Sequence, residues 1–290
     1  MSLGVVVITR NRRERALATL DRLRSLPERP PVVLVDNASS DGTGAAVRSG
    51  QPGVDLLTLR RNLGAAARNL GAARLGTDFV AFADDDSWWE PGACAEAART
   101  LAARPRLGLV AAATWVGQDP PRPDPLNEWL AASPLGSDAG LPGPSVLGFL
   151  ACAAVVRREA FLGVGGFHPL VGIGGEEALL AMDLHAAGWE LVYCPAVRAR
   201  HDPDPGPRPG RTAQLRRNAL LTAVLRRPWP VVGRTAAALI RDAALRSPEA
   251  ARALRAAAAV LPVALRERRP LPARTEAALA RLERQARAAG

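Results

Sequence analysis

Apolar residues along this chain fall into short runs separated by stretches of helical spacing. Val5-Val6-Val7-Ile8-Thr9 is a β-branched run with the character of a buried strand. Leu17, Leu20, Leu23 and Leu26 then recur at helical spacing, with Asn11 placed to cap that helix and Pro27, Pro30 and Pro31 to end it. Val32-Val33-Leu34-Val35 reads as a second buried strand, closed by a polar loop over residues 36–43 that is rich in turn formers. Leu56-Leu57-Thr58-Leu59 gives a third strand, an Ala-rich helix through Arg68, Asn69 and Arg74 follows, and residues 79–83 give a fourth strand. This alternation predicts an α/β fold, a mostly parallel sheet covered by helices on both faces. Such sheets bind ligands beyond the carboxyl ends of their strands, where Thr9, Asp36, Asn62 and the aspartates 84–86 all fall.

The second half is less regular. Residues 107–111, 147–158 and 189–194 read as strands, the last ending at Pro195. Residues 117–148 are rich in Pro, Gly and Asp with little periodicity, the signature of a lid or binding loop. A glycine turn at 163–167 and another at 172–175 precede Glu176-Glu177, which opens a helix reaching Ala187. Two acids in a first turn suit the helix dipole, but glycines before a carboxylate pair also allow close backbone approach to a ligand. From Thr212 onward the chain is Ala, Leu and Arg at helical spacing, broken by prolines, and the final helix from Arg274 is expected to be poorly ordered.

Composition narrows the class. None of the apolar runs in the 290 residues can span a bilayer, and the N-terminus does not show the pattern of a signal peptide. Cys94, Cys152 and Cys194 are isolated, which suits reduced core residues of a cytoplasmic protein. The net charge is +10 and every basic residue is arginine, with the excess concentrated after Arg198. No aromatic platform interleaves those arginines, so nucleic acid is the weakest candidate among anionic partners.

Chemistry concentrates where the fourth strand runs into Asp84-Asp85-Asp86. Adjacent carboxylates repel unless a cation or ordered donors stand close by. Continued strand alternation would let Asp84 and Asp86 converge on one ligand while Asp85 faces away. Hard oxygen ligands of this kind suit Mg²⁺ or Mn²⁺ together with substrate phosphates, although a solvated acidic turn at a helix start would look the same. Of Trp88 and Trp89, one is expected to pack in the core and the other to form a stacking wall for a ligand.

Four motifs in order carry a family resemblance: Val7-Ile8-Thr9-Arg10-Asn11-Arg12, the loop Asp36-Asn37-Ala38-Ser39-Ser40-Asp41-Gly42-Thr43, Arg61-Asn62-Leu63-Gly64 with Arg68-Asn69, and the aspartate triplet. Together they resemble the inverting family 2 nucleotide-sugar glycosyltransferases over roughly residues 1–230, in particular bacterial rhamnosyl- or galactosyl-type cell-envelope transferases. The resemblance implies the GT-A fold, a catalytic domain over 1–205 with a nucleotide-sugar half to about 115 and an acceptor half from about 116, and a basic helical region over 206–290. By motif position, Thr9, Asn11, Asp36, Asn62, Asp84 and Asp85 fall in the nucleotide-sugar site, with Asp86 and His201 on a Mn²⁺ or Mg²⁺ ion. Asp36 is either an acceptor for a base N–H or the anchor of an Asx turn, and His201 is either a metal ligand or an ordinary packed histidine. The family's base is the second acid of a pair at a helix start, which corresponds to Glu177, with Glu176 the alternative; here Glu stands where the family usually has Asp, and Leu179 replaces a later Asp. The implied acceptor is a glycan, lipid-linked or small-molecule hydroxyl. The C-terminal helices either reach the inner face of a membrane or simply pack on the catalytic domain. Two other classes fit less well: a sugar nucleotidyltransferase, which needs a Gly-rich basic loop that this chain lacks, and a non-catalytic scaffold of the same fold.

Overall fold

The computed structural model describes residues 1–117, 120–138, 140–206 and 208–289. Strands β1 (Leu3–Thr9), β2 (Val32–Asp36), β3 (Val54–Thr58) and β4 (Phe79–Asp84) are parallel, with α1 (Arg13–Arg24), α2 (Thr43–Gly50) and α3 (Ala67–Arg74) in the connections. The chain continues through β5 (Ser87–Trp89), α4 (Ala93–Ala102), β6 (Leu107–Val116), β7 (Arg122–Pro123), α5 (Leu126–Ala131), β8 (Ala154–Arg157), α6 (Arg158–Gly163), α7 (Glu176–Ala186) and β9 (Glu190–His201). The described strands form one sheet of order β3-β2-β1-β4-β8-β6-β9-β5, with β7 beside β6. Register places Thr9 opposite Asp36 and Ile8 opposite Asp84, so the loops after β1, β2 and β4 start from one level of the sheet.

Strand alternation divides the core in two. Val5 and Val7 pack with Leu20 and Leu23 of α1, while Val6 and Ile8 pack with Ala67 and Ala72 of α3. All seven residues of β1 except Leu3 are buried, the pattern of a central parallel strand.

Three local expectations are corrected. Asn11 does not cap α1: Arg12 holds the N-cap position, and Asn11 sits at φ 53 with Oδ1 accepting the Ser40 N–H at 2.7 Å. Its amide ties the loop after β1 to the loop after β2. Within 147–158 only Ala154–Arg157 is strand, preceded by a 3₁₀ turn over Ala151–Ala153. The last strand does not end at Pro195. Its pairing partners on β6 jump from Cys194 to Arg198 between Ala112 and Ala113, a bulge that takes Pro195 out of the ladder and lets the strand run on to His201.

Part of the 117–148 segment is firmly held. The Asn127 side chain bonds both the N–H and the carbonyl of Thr114, at 2.9 and 2.8 Å, and Leu130 is buried. Gln118, Asp119 and Ala139 of that segment lie outside the described residues.

The C-terminal helices are α8 (Arg211–Arg226), α9 (Trp229–Ala244), α10 (Pro248–Ala258), α11 (Leu261–Arg266) and α12 (Ala273–Ala289). They share apolar clusters with the sheet domain: Leu221 and Val224 of α8 pack with Val171 and Leu179, and Leu279 of α12 packs with Leu180 and Leu184 of α7. The expectation of a poorly ordered last helix is thus replaced by a packed one. Among the described residues no helix is long and apolar enough to cross a membrane.

Candidate active site

Strand alternation stops at Asp84, the last residue of β4, and the aspartates distribute differently from the expected pattern. Arg12 Nη1 lies 2.8 Å from Asp85 Oδ1 and 2.9 Å from Asp86 Oδ2, so these two share one guanidinium. Asp84 pairs instead with Arg68 of α3. Asp85 does not face away from the site, and the triplet is not an exposed acidic turn: Asp85 and Asp86 are each only 5% exposed. Burial pushes the Asp85 carboxyl up to about 7 despite Arg12 and the Thr9 hydroxyl, which donates to it at 2.8 Å. For Arg12, burial acts downward, yet the charges of Asp85 and Asp86 leave its pKa raised. The Thr9 hydroxyl thus spends its proton on Asp85 and keeps only its acceptor capacity.

The loop after β2 is built around its own polar groups. Asp36 is 2% exposed and its Oδ1 accepts the Ser39 N–H at 2.9 Å, three residues on rather than the two of an Asx turn, a local bond that holds the loop. Asn62 is exposed and accepts the Gly64 N–H at 2.8 Å. Asn37 does more to place that turn, accepting from Leu63 N at 2.7 Å and donating to the Gly64 carbonyl at 3.0 Å.

The acid pair comes to the same region from the other half of the chain. Gly174 and Gly175, at φ 94 and 93, adopt the left-handed conformation that aims the Gly174 N–H back at Glu176 Oε2. Glu176 is 2% exposed, and burial first, then the charge of Glu177, pushes its carboxyl up to about 8. Glu177 is half-buried. Arg68 joins this pair to the triplet: burial alone would lower its pKa, but the charges of Asp84, Glu176 and Glu177 outweigh that and raise it. Arg68 is 3% exposed, and among the described residues its Nε and Nη1 have no hydrogen-bond partner. A buried guanidinium with two idle nitrogens is costly unless a ligand or water meets them. Arg68 belonged to the recognised motif but not to the site residues singled out from it. Its spacing with the buried Gly71, Ala72 and Leu75 was the available signal that it faces inward. Asn69 holds the glycine turn before the pair, bonding both the N–H and the carbonyl of Phe167 at 2.9 Å.

Because β9 runs past Pro195, His201 pairs with Ser87 and its Nε2 stands 3.6 Å from Asp86 Oδ1. That spacing is near the roughly 3 Å between neighbouring ligands around an ion bound at about 2.1 Å. One carboxylate oxygen and one imidazole, with Asp86 Oδ2 held by Arg12, fit a divalent cation whose remaining ligands are water and substrate phosphate. Among the described residues no group of three or more His, Cys, Asp or Glu forms a cage of protein ligands alone. Neither tryptophan offers an open sugar wall: Trp89 is 1% exposed in the core, and Trp88 is covered by the Arg22 guanidinium at 3.7 Å.

The model of the family described as glycosyl transferase family 2 matches residues 4–164, more than half of the chain. The chain belongs to glycosyl transferase family 2. It is 29% identical over 221 residues, 65% of its own length and 71% of the relative's, to the N-acetylglucosaminyl-diphospho-decaprenol L-rhamnosyltransferase of Mycobacterium tuberculosis. Among solved structures it is similar to the mannosyltransferase PcManGT from Pyrobaculum calidifontis in complex with GDP-Man and Mn²⁺, with a TM-score of 0.58 and 25% identity over 99% of this chain and 75% of that one. It also shares the fold of S. aureus TarS 1-349 in complex with UDP-GlcNAc, with a TM-score of 0.60 and 18% identity over 77% of this chain and 66% of that one. This family 2 member has the GT-A fold with added C-terminal helices, and it is an inverting nucleotide-sugar glycosyltransferase.

Proposed function

We propose that this glycosyltransferase adds a sugar to a hydroxyl of a lipid-linked acceptor in cell-envelope synthesis, with Glu177 as general base and Asp86 and His201 as ligands of a divalent cation. The observation that carries this reading is that the acid pair at the start of α7 comes close enough for its charge to act on buried Arg68, which itself pairs with Asp84 at the end of β4. The acceptor class is supported by the mycobacterial relative, named for a diphospho-decaprenol acceptor, and the cation by the mannosyltransferase complex with Mn²⁺.

In this mechanism the nucleotide lies along the carboxyl edge of the parallel strands. Its base is toward Thr9, Asn11 and Asp36, the ribose is at Asp84, and Asn62 borders the sugar. Glu176, buried and protonated near neutrality, accepts the Gly174 N–H and fixes the first turn of α7. Glu177 takes the proton of the acceptor hydroxyl. The acceptor oxygen then bonds to the anomeric carbon as the bond to the diphosphate oxygen breaks on the opposite face, so one displacement inverts the configuration. When bound, the cation at Asp86 and His201 supplies charge neutralisation for the departing diphosphate. Arg68, with two idle nitrogens, keeps positive potential between the triplet and the acid pair. Residues 1–115 form the donor half, and 116–205 with the helices after 206 form the acceptor half. Peripheral membrane contact belongs to the same reading, since Trp229, Ile240 and Leu245 expose apolar side chains on the arginine-rich helical region.

A thermal-shift screen of nucleotide sugars with and without Mn²⁺, followed by donor hydrolysis with water as acceptor, tests the proposal. A donor that stabilises the protein only with Mn²⁺ and is slowly hydrolysed supports it. Full stabilisation without cation removes the metal assignment, and binding with no turnover on any acceptor leaves the scaffold reading.

A further inference from the structure

A cavity of about 720 Å³ opens between the turn over residues 61–64, the segment 169–173 and the start of α8. Its size is within the roughly 300–1,000 Å³ of small-molecule sites. Among the described residues four arginines line it, Arg61, Arg208, Arg211 and Arg217, and no carboxylate does. Among the described residues none of the four has an acidic partner within ion-pair distance, although most buried arginines elsewhere in the chain have one. Arg217 is half-buried, and among the described residues its side-chain hydrogen bonds are to neutral groups, the Asn218 side chain at 2.8 Å and the Val171 carbonyl at 3.5 Å. Converging guanidiniums without carboxylates suit a phosphate or diphosphate, which takes their paired N–H groups directly. Leu170 and Ile173 add apolar surface to the same wall.

Two neighbouring features bear on which diphosphate would fit. The cavity shares Asn62 with the donor side, but none of Asp36, Asp84, Asp86 and His201 lines it, and its described wall offers no carboxylate to hold a cation, so a diphosphate held there would be distinct from the metal-bound diphosphate of the donor. Gly172 and Ile173, which do line it, lead directly into Gly174, Gly175 and the acid pair. Gln214 and Asn218 of α8 fasten this lead by donating to the Ile173 carbonyl at 2.7 and 3.1 Å, and Asn218 also donates to the Gly174 carbonyl at 2.7 Å. The arginine wall and the base are thus fixed to one segment.

We propose that this arginine-walled cavity holds the diphosphate of a lipid-linked acceptor, setting the acceptor hydroxyl at Glu177. The assignment rests on the transferase reading above and adds to it a second, cation-independent diphosphate site. The test is calorimetric binding of farnesyl diphosphate and of farnesol to the full chain in EDTA, below the concentration at which either probe forms micelles. The wild type is compared with the variant carrying Arg61→Gln and Arg211→Gln, both exposed and on opposite walls, and with Asp86→Asn. The expected result is a preference of at least about tenfold for the diphosphate, the scale of a pair of charge-assisted hydrogen bonds. The double arginine variant loses that preference with an unchanged melting temperature, and Asp86→Asn keeps it. No preference in the wild type overturns the proposal, as does a preference lost in Asp86→Asn but kept in the arginine variant. Donor hydrolysis by the wild type, measured alongside, separates the two levels. Hydrolysis without a diphosphate preference overturns the cavity's assignment alone, whereas the preference without hydrolysis on any donor overturns the transferase reading beneath it.

Discussion

Arg12 and Arg68 divide the aspartate triplet between them, and that division sets what each carboxylate can do. Asp85 is locked by Arg12 and Thr9, so it serves the frame, while Asp86 keeps Oδ1 facing His201. Asp86→Asn should abolish cation-dependent donor binding and leave folding intact, because Arg12 still neutralises Asp85. Calorimetry with a nucleotide sugar and Mn²⁺ checks this, and unchanged affinity would move the cation elsewhere. Glu176 gives a pH prediction. Its carboxyl is raised from 4.5 to about 8, so the folded chain holds a proton there that the unfolded chain releases. Stability from this group is complete below pH 4.5 and is lost as pH rises toward 8. Relative to Glu176→Gln, which keeps an acceptor for the Gly174 N–H, the wild type should lose on the order of a few kcal/mol between pH 5 and pH 8.5. Urea midpoints at the two pH values measure the gap; a constant gap means that Glu176 is ionised throughout.

At the scale of elements, the first four strands and their helices could be read from periodicity because β1, β2 and β4 are buried on both faces, β3 at the edge is half-buried, and the helices bury one face. Close packing reinforces that plan. A Cβ on Gly71 would stand 2.5 Å from Val6 Cγ1 and 3.1 Å from Val35 Cγ2, so α3 touches β1 and β2 through a glycine. Gly71→Ala gains about 1 kcal/mol of helix propensity, but forcing a methyl against two stiff β-branched side chains costs roughly 1–3 kcal/mol. Net destabilisation is expected, read as a lower denaturation midpoint; a rise would show that α3 shifts freely. The elements that sequence misplaced share a physical cause. Pro195 looked like a strand end because it cannot donate to a ladder, yet a bulge absorbs it, and only the pairing with β6 reveals that. Asn11 looked like a cap because capping is local chemistry, whereas its actual partner, Ser40, lies in another loop. The inward face of Arg68 was visible in helical spacing; the charge it feels from an acid pair about a hundred residues later was not.

Across the whole molecule, the C-terminal helices complete both the core and the site. Arg227 of the α8–α9 turn pairs with Glu276 at 3.0 Å and Glu283 at 2.8 Å on α12, beside buried Leu279. Deleting residues 273–290 should lower stability by at least about 3 kcal/mol, from the lost burial of Leu279 and the orphaned Arg227. An unchanged urea midpoint would make α12 a true appendage. The order of the motifs made the family legible from sequence, but the approach of the acid pair to Arg68 and Asp84 is a property of the folded chain. The most direct measurement of the central claim is transfer from the nucleotide sugar by Glu177→Gln and Glu176→Gln, with donor binding measured on the same samples. The account predicts that Glu177→Gln binds donor normally while turnover falls about 10²–10⁴-fold, and that Glu176→Gln loses much less. Full turnover in Glu177→Gln, or the larger loss in Glu176→Gln, would contradict it.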